Sequence, residues 1–275
     1  MKKLIVVADW ASDPLYFTQF QTAIEGHVKD LSAPLLMRRV PVTPSTIHAS
    51  YIVRQLIETE SRMGRPEETV IYVQTDARSE SADVRESPKG APLYINRLSN
   101  GIFVVGTNAG YTFSLIKDQI AEVFTYGMLS NATQFSARDV YARTCAYLMD
   151  YMEDELEFDE AHSSTILELP NHRVGHVDVF GNIQTTITVE DVRGHVELHQ
   201  QTEVNVNGHV LHATYLPHRY AHAPGSLVLA ASSTGDTDNP FMELSVWNQN
   251  LRDGAHSAAA LFHHPIPGDM IVLKK

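Results

Sequence analysis

The sequence predicts two domains: an α/β domain over residues 1–160, built on a mostly parallel sheet with flanking helices, and a smaller all-β, barrel-like domain over residues 161–275. Three observations carry that expectation. The first half alternates continuous apolar runs with amphipathic helical stretches, and continuous hydrophobicity suits strands covered on both faces. The second half breaks into short runs of period two separated by turns. Between them lies an acidic, weakly patterned run, residues 153–160, which reads as a linker or a solvated helix end.

In chain order, residues 4–8 form the first buried strand and end at Asp9. Asp13-Pro14 marks a helix start, with Asp as cap and Pro at the first helical position. Tyr16, Phe17, Phe20, Ala23 and Ile24 follow at helical spacing up to Gly26. Residues 35–42 read as a second strand. Residues 46–63 read as a helix, with Ile47, Tyr51, Ile52, Leu56 and Ile57 near one face and Gly64 as its stop. Residues 69–73 are a further buried strand that runs into Gln74-Thr75-Asp76-Ala77-Arg78. Strands over 93–95 and 101–106 come next, the second ending in Thr107-Asn108-Ala109-Gly110. A helix begins at Ser136 or Asp139 and carries Val140, Ala146, Tyr147, Leu148 and Met152.

Residues 175–187 read as a hairpin. Val177 and Val179 alternate with His176 and Asp178; Ile183, Thr185 and Ile187 alternate with Gln184 and Thr186. Gly181-Asn182 supplies the turn, since both residues tolerate positive φ. The stretch is open to two readings: a hairpin and nothing more, or a rigid strand end where Asp178 and Asn182 hold a polar ligand. Strands over 203–211, 226–230, 241–246 and 270–273 and a helix over 257–262 complete the second half.

Composition narrows the function. The chain has 275 residues, 43% of them hydrophobic and 20% charged, which describes an ordinary globular protein. Its 33 acidic against 21 basic residues give a net charge of −12, and no Lys/Arg cluster is present for nucleic-acid phosphates. The one cysteine, Cys145, forms no intrachain disulfide and sits in an apolar helical pattern. No run approaches the ~18 apolar residues of a membrane span. The first apolar run is cut by Asp9, short of the ~7–15 residues of a signal-peptide core. A cytoplasmic protein without membrane contact is expected.

The fourteen histidines show no paired metal-ligand spacing. His256, His263 and His264 lie near a helix, and His209, His212, His218 and His222 are scattered, so no metal and no cofactor is expected. Gly-x-Ser-x-Gly, a Walker A loop and Gly-x-Gly-x-x-Gly are all missing, which argues against the corresponding hydrolases, triphosphatases and dehydrogenases. What remains is a polar cluster at three strand ends: Asp9, Thr75-Asp76 and Thr107-Asn108. Open parallel sheets bind ligands outside these carboxyl ends.

Several segments together carry a resemblance. They are Ala8-Asp9-Trp10-Ala11 with Asp13, Thr75-Asp76-Ala77-Arg78, Thr107-Asn108-Ala109-Gly110, and the run from Phe135 to Ala142. The hairpin Asp178 to Asn182 followed by Thr185-Thr186-Ile187 is the nearest match, and Phe241-Met242-Glu243-Leu244-Ser245-Val246, Ala258-Ala259-Ala260-Leu261 and Gly268-Asp269 complete the order. In that order they resemble the S-adenosylmethionine hydroxide adenosyltransferase family, which also contains fluorinase and chlorinase enzymes. The resemblance implies a homotrimer with sites at subunit interfaces and a small adenosyl compound as substrate. It implies displacement at the ribose C5′ carbon, releasing adenosine and methionine. It places Asp9 on the ribose hydroxyls with Trp10 and Asn108 nearby, Asp178 and Asn182 on the methionine amino group and adjacent polar atoms, and Asn239 and Phe241 on the adenine side. Asp76 would supply the family's water-binding Asp, and Arg85, or alternatively Arg78, its Arg. Ser136 stands where the family has a His. A serine hydroxyl holds a nucleophile by hydrogen bonding but is no general base near neutral pH. The resemblance therefore also allows an inactive adenosyl-binding relative.

Overall fold

The structure, a computed structural model, describes residues 2–75, 91–126, 135–219, 223–247 and 256–274. The chain divides into two compact units, Met1–Glu168 and Leu169–Lys275. Among the described residues no helix is long and apolar enough to cross a membrane.

In the first unit β1 (Lys2–Ala8) lies between β2 (Leu35–Pro41) and β3 (Thr69–Gln74), parallel to both, and β5 (Phe103–Thr107) continues parallel beside β3. All seven residues of β1 are buried. Leu4, Val6 and Ala8 join one core layer with Phe20 and Ile24 of α1 (Pro14–His27) and with Cys145 and Leu148 of α3 (Ala142–Met149). Ile5 and Val7 join the other, with Ala49, Val53 and Ile57 of α2 (Thr46–Met63) and with Phe113 and Ile116. Asp13 caps α1, its Oδ1 accepting from the Leu15 and Tyr16 amides.

Beyond β5 the sheet changes direction. β4 (Leu93–Leu98) is antiparallel to β5, β6 (Ile120–Thr125) to β4, and β7 (Asp159–Ala161) to β6. The sheet is therefore mixed, which overturns the expected mostly parallel α/β domain. Connection length is the cause. A parallel pair needs a crossover of about a dozen residues or more, whereas β4 turns into β5 through a tight loop in which the Gly101 amide bonds the Leu98 carbonyl. The acidic run resolves into a short 3-10 turn, Glu153–Glu155, and the outer strand β7.

The second unit is also a mixed seven-stranded sheet, and it carries helices, so the expected all-β barrel is overturned as well. The order is β14 (Ile271–Lys274), β10 (Gln201–Val206), β11 (His209–Leu216), β12 (Leu227–Gly235), β13 (Pro240–Val246), β9 (Ile183–Thr188), β8 (Val174–Val177). β11 and β12 pair in parallel; the other neighbours are antiparallel. The outer strands β8 and β14 are four residues each. They meet at their first residues, through the Arg173–Met270 bridge and backbone bonds of Val174 and Ile271, and the sheet forms a half-barrel. Two short helices, α4 (Val189–Val192) and α5 (Ala258–Leu261), cover it.

One buried ion pair anchors the start of the central strand. The Lys3 ammonium lies 2.6 Å from the Glu60 carboxylate of α2, and both side chains are buried. Removing one partner strands the other charge, at a cost of about 3–5 kcal/mol. Lys3→Met is expected to lower stability by about that amount, and adding Glu60→Met to recover most of it. Chemical denaturation of the wild type, both single variants and the double variant measures this; equal losses in single and double variants would contradict it.

Candidate functional site

Strand register aligns the carboxyl ends of β1, β3 and β5. Ala8 pairs with Gln74, and Val73 with Gly106. Asp9 and Thr75 follow Ala8 and Gln74 by one residue and Asn108 follows Gly106 by two, so the three stand just past the ends of adjacent strands. Gly106 permits the close approach of β5: a Cβ there would lie 2.2 Å from the Val73 carbonyl oxygen.

The side chains at this edge are held by one hydrogen-bonded aromatic cluster. Gln74 Oε1 accepts from Trp10 Nε1 at 3.2 Å and from the Tyr72 hydroxyl at 2.8 Å. Trp10 packs edge-on against Phe20 and Phe135, with ring centroids 5.4 and 5.3 Å apart. Burial holds the Tyr72 phenol well above its ordinary range, with Cys145, Tyr141 and Asp9 adding to the shift, so Tyr72 keeps its proton and donates it. The Thr75 Oγ1 is buried and has no hydrogen-bond partner among the described residues.

The expected residues fall as follows. Asp9 and Trp10 are half-buried at the end of β1. Ser136 directly follows Phe135, the ring against Trp10, and precedes a π-helical turn, Ala137–Tyr141, that leads into α3. Asn108 is tied to two other segments: its side-chain amide donates to the Thr165 carbonyl at 3.2 Å and its backbone amide to the Pro92 carbonyl at 2.9 Å. Asp76, Arg78 and Arg85 lie outside the described residues. Cys145 is fully buried in the core, and burial pushes its thiol far above the ordinary range, so it is no nucleophile.

In the second unit Asp178 and Asn182 come together. Asp178 Oδ1 accepts from the backbone amides of Phe180 and Asn182, each at 2.9 Å, and Oδ2 accepts from the Asn182 side-chain amide, also at 2.9 Å. The pair therefore builds its own turn. Gly181 sits at φ +76°, where a side chain would meet Ser257 Oγ at 2.5 Å, so the turn is also seated on the cap of α5. Asn239 serves structure: its Oδ1 accepts from the Glu190 amide in the first turn of α4. Phe241 is buried and pairs in register with Thr188.

Two features escape the sequence pattern. Gln74 is a polar residue closing an apolar strand, and that contrast is its only signal. Glu243 interrupts the apolar β13. It is buried beside Gln184, which pairs with His176, and its Oε1 accepts from Arg219 Nη1 at 3.0 Å. Burial raises the Glu243 carboxyl above its usual range against the pull of Arg219. Burial lowers His176, against the opposing charge of Asp178. Among the described residues no group of three or more His, Cys, Asp or Glu could hold a metal ion. A cavity of about 220 Å³ opens at the amino ends of the first sheet, lined by Lys2, Asp30, Thr69, Val70, Phe103 and Tyr151. It lies at the opposite end of the strands from Gln74, and Lys2 there is already held by Asp30 and Asp150 at 3.1 and 2.5 Å.

No protein-family description matches the chain, and no curated protein does. Solved structures share its fold. An uncharacterized conserved protein from Thermotoga maritima superposes with a TM-score of 0.68 at 17% identity, over 99% of this chain and 100% of that one. A conserved hypothetical protein from Thermus thermophilus does so with a TM-score of 0.65 at 18% identity, over 100% of both chains. At these identities the likeness is one of fold alone.

His176 gives this region a pH dependence. Its folded pKa lies below the ordinary 6.5, so on acidification the unfolded chain takes up its proton first. The contribution is present above 6.5 and lost as pH falls through the lower folded value. The melting temperature is expected to drop as pH is lowered below about 6.5, and His176→Gln to flatten part of that slope. Thermal unfolding at closely spaced pH values checks this; an unchanged slope in the variant would contradict it.

Proposed function

We propose that the protein binds S-adenosylmethionine, or a closely related adenosyl compound, at the carboxyl edge of β1, β3 and β5 and hydrolyses it to adenosine and methionine. The observation that carries the proposal is the alignment of Asp9, Gln74 and Thr75 on adjacent strand ends beside Trp10. An acceptor carboxylate, an amide, a hydroxyl and an aromatic ring are what a ribose and a purine require. The reaction itself rests on the motif order from Asp9 to Gly268.

In this chemistry water attacks C5′ in line with the C5′–S bond, and methionine leaves with the electron pair of that bond as a neutral thioether. The leaving group needs no proton. The attacking water releases one to solvent as the C5′–O bond forms, and the site's tasks are alignment, partial desolvation and charge stabilisation. Asp9 would hold the ribose hydroxyls, and Ser136 would hydrogen-bond the nucleophile. Asp76 and one of Arg78 and Arg85 are the remaining candidates at the water. The same proposal includes a homotrimer and a cytoplasmic location, with S-adenosylmethionine as substrate and no cofactor.

A second reading, binding without turnover, is favoured by two observations. Ser136 stands in the place of the family's histidine, and Asp178 already spends both oxygens on its own hairpin.

Incubation with S-adenosylmethionine and chromatography for adenosine and methionine tests the proposal. Product above the uncatalysed rate is expected. Asp9→Ala should lower kcat/KM about 10- to 100-fold, the equivalent of about 1.5–3 kcal/mol for hydrogen bonds to a charged group. Ligand-induced thermal stabilisation without product would select the binding reading. Neither signal would overturn both. Equilibrium sedimentation should give three times the 30.7 kDa chain mass.

A further inference from the structure

The amide of Gln74 has a fixed orientation. Trp10 Nε1 is a donor only and so requires an oxygen from Gln74, and the protonated Tyr72 hydroxyl donates to the same atom. Gln74 Oε1 fills that role, with contacts of 3.2 and 2.8 Å. Rotating the amide by half a turn would set its N–H groups against the Trp10 N–H, which cannot accept. The nitrogen is therefore held away from the Trp10–Tyr72 crevice, and its two N–H groups make no hydrogen bond among the described residues. Gln74 is half-buried at the last position of β3, paired with Ala8 and followed in the chain by buried Thr75, whose hydroxyl has no partner among the described residues. Fixed donors at a strand end, with no acceptor among the described residues, are preorganised for a ligand.

We infer that Gln74 is a ligand-contacting residue whose side-chain N–H groups donate to an uncharged acceptor of the bound nucleoside, a purine ring nitrogen or the ribose ring oxygen. This rests on the adenosyl reading proposed above and adds to it a residue that discriminates by hydrogen-bond polarity. Asp9 takes groups that donate, the ribose hydroxyls, while Gln74, one strand across, takes groups that accept. A ligand carrying donors on both sides would leave the Gln74 N–H groups facing donors, and a site with unpaired polar groups rejects such a ligand strongly.

The test is Gln74→Glu in the full chain. The substitution keeps the side-chain shape and one oxygen for Trp10 and Tyr72, and it replaces the outward N–H groups by a carboxylate oxygen. Adenosine and S-adenosylmethionine binding would be measured by calorimetry for the wild type, Gln74→Glu and Asp9→Ala. In parallel, the wild-type Gln74 side-chain N–H signals, assigned by their loss in Gln74→Glu, would be followed by NMR during adenosine titration. The expected result is a fall in affinity of about tenfold or more in Gln74→Glu, with an unchanged near-ultraviolet spectrum of the aromatic cluster and a shift of the wild-type Gln74 signals on adenosine addition. Binding lost in Asp9→Ala but intact in Gln74→Glu, with unmoved Gln74 signals, would overturn this inference and leave the adenosyl reading standing. No binding of either compound to the wild type would overturn both. If Gln74→Glu fails to fold, the wild-type signals, assigned then by selective glutamine labelling, still decide between movement and none.

Discussion

The first unit depends on the burial of β1 on both faces. Every one of its seven residues is buried, Lys2 and Lys3 included. Lysine ammonium groups leave water only when paired, so the two lysines oblige the structure to bring acids to the amino edge: Glu60 from α2 for Lys3, Asp30 and Asp150 for Lys2. Burial of the alternate apolar residues then recruits α1 and α3 to one face and α2 to the other. The charged requirement is met at the amino end, and the carboxyl end carries the polar side chains Asp9, Gln74 and Thr75. Asp9 stands at the strand's exit from the core, half-buried rather than enclosed.

Much of this was legible in the sequence, and the exceptions have physical causes. Continuous apolar runs reveal strands covered on both faces, and the Asp13-Pro14 cap reveals where α1 begins. Pairing direction is different: nothing in the side-chain pattern of residues 93–98 distinguishes an antiparallel strand from a parallel one. The deciding information sits in the loop, where Ser99, Asn100 and Gly101 close a turn too short for a crossover. In the second unit the period-two runs locate strands, but the run over 203–211 is two antiparallel strands joined at Asn207-Gly208, and of the two short helices α5 falls inside the helix expected over 257–262 whereas the four-residue α4 is too short for helical periodicity to register. Thr188 with Asp191 forms a capping box at α4, a local signal that a period-based reading passes over.

The candidate site was legible to a different degree in each unit. Asp9 and Thr75 are visible as polar residues that end apolar runs. Gln74 is visible the same way, yet its importance comes from Tyr72 and Trp10, one on the same strand and one on the neighbouring strand's exit. Only pairing of β1 with β3 brings them together. Asp178 and Asn182 illustrate the opposite case. Their spacing singled them out, and the structure accounts for that spacing within the turn itself: one carboxylate accepts three hydrogen bonds from the residues it encloses. A carboxylate offers roughly four acceptor positions. What remains for a ligand is limited, so a conspicuous motif is here better supported as architecture than as chemistry.

That contrast bears on how the two kinds of polar residue should be weighed. Asn182, Asn239 and Asn108 each look available in sequence, and each is consumed by a specific backbone or side-chain partner in its own unit. Gln74 is an amide of the same chemistry with half its hydrogen-bonding capacity consumed and the other half fixed in direction. Using the oxygen twice costs the protein nothing at the nitrogen as long as the nitrogen can reach water or a ligand. Burying it without either would cost about 1–3 kcal/mol. An amide oxygen anchored by two aromatic donors therefore stabilises the aromatic cluster and presents the nitrogen at the strand end in a single step. The same arrangement explains why a glutamine, and not a leucine of similar size, closes β3: a leucine would leave the Trp10 N–H and the Tyr72 hydroxyl without an acceptor.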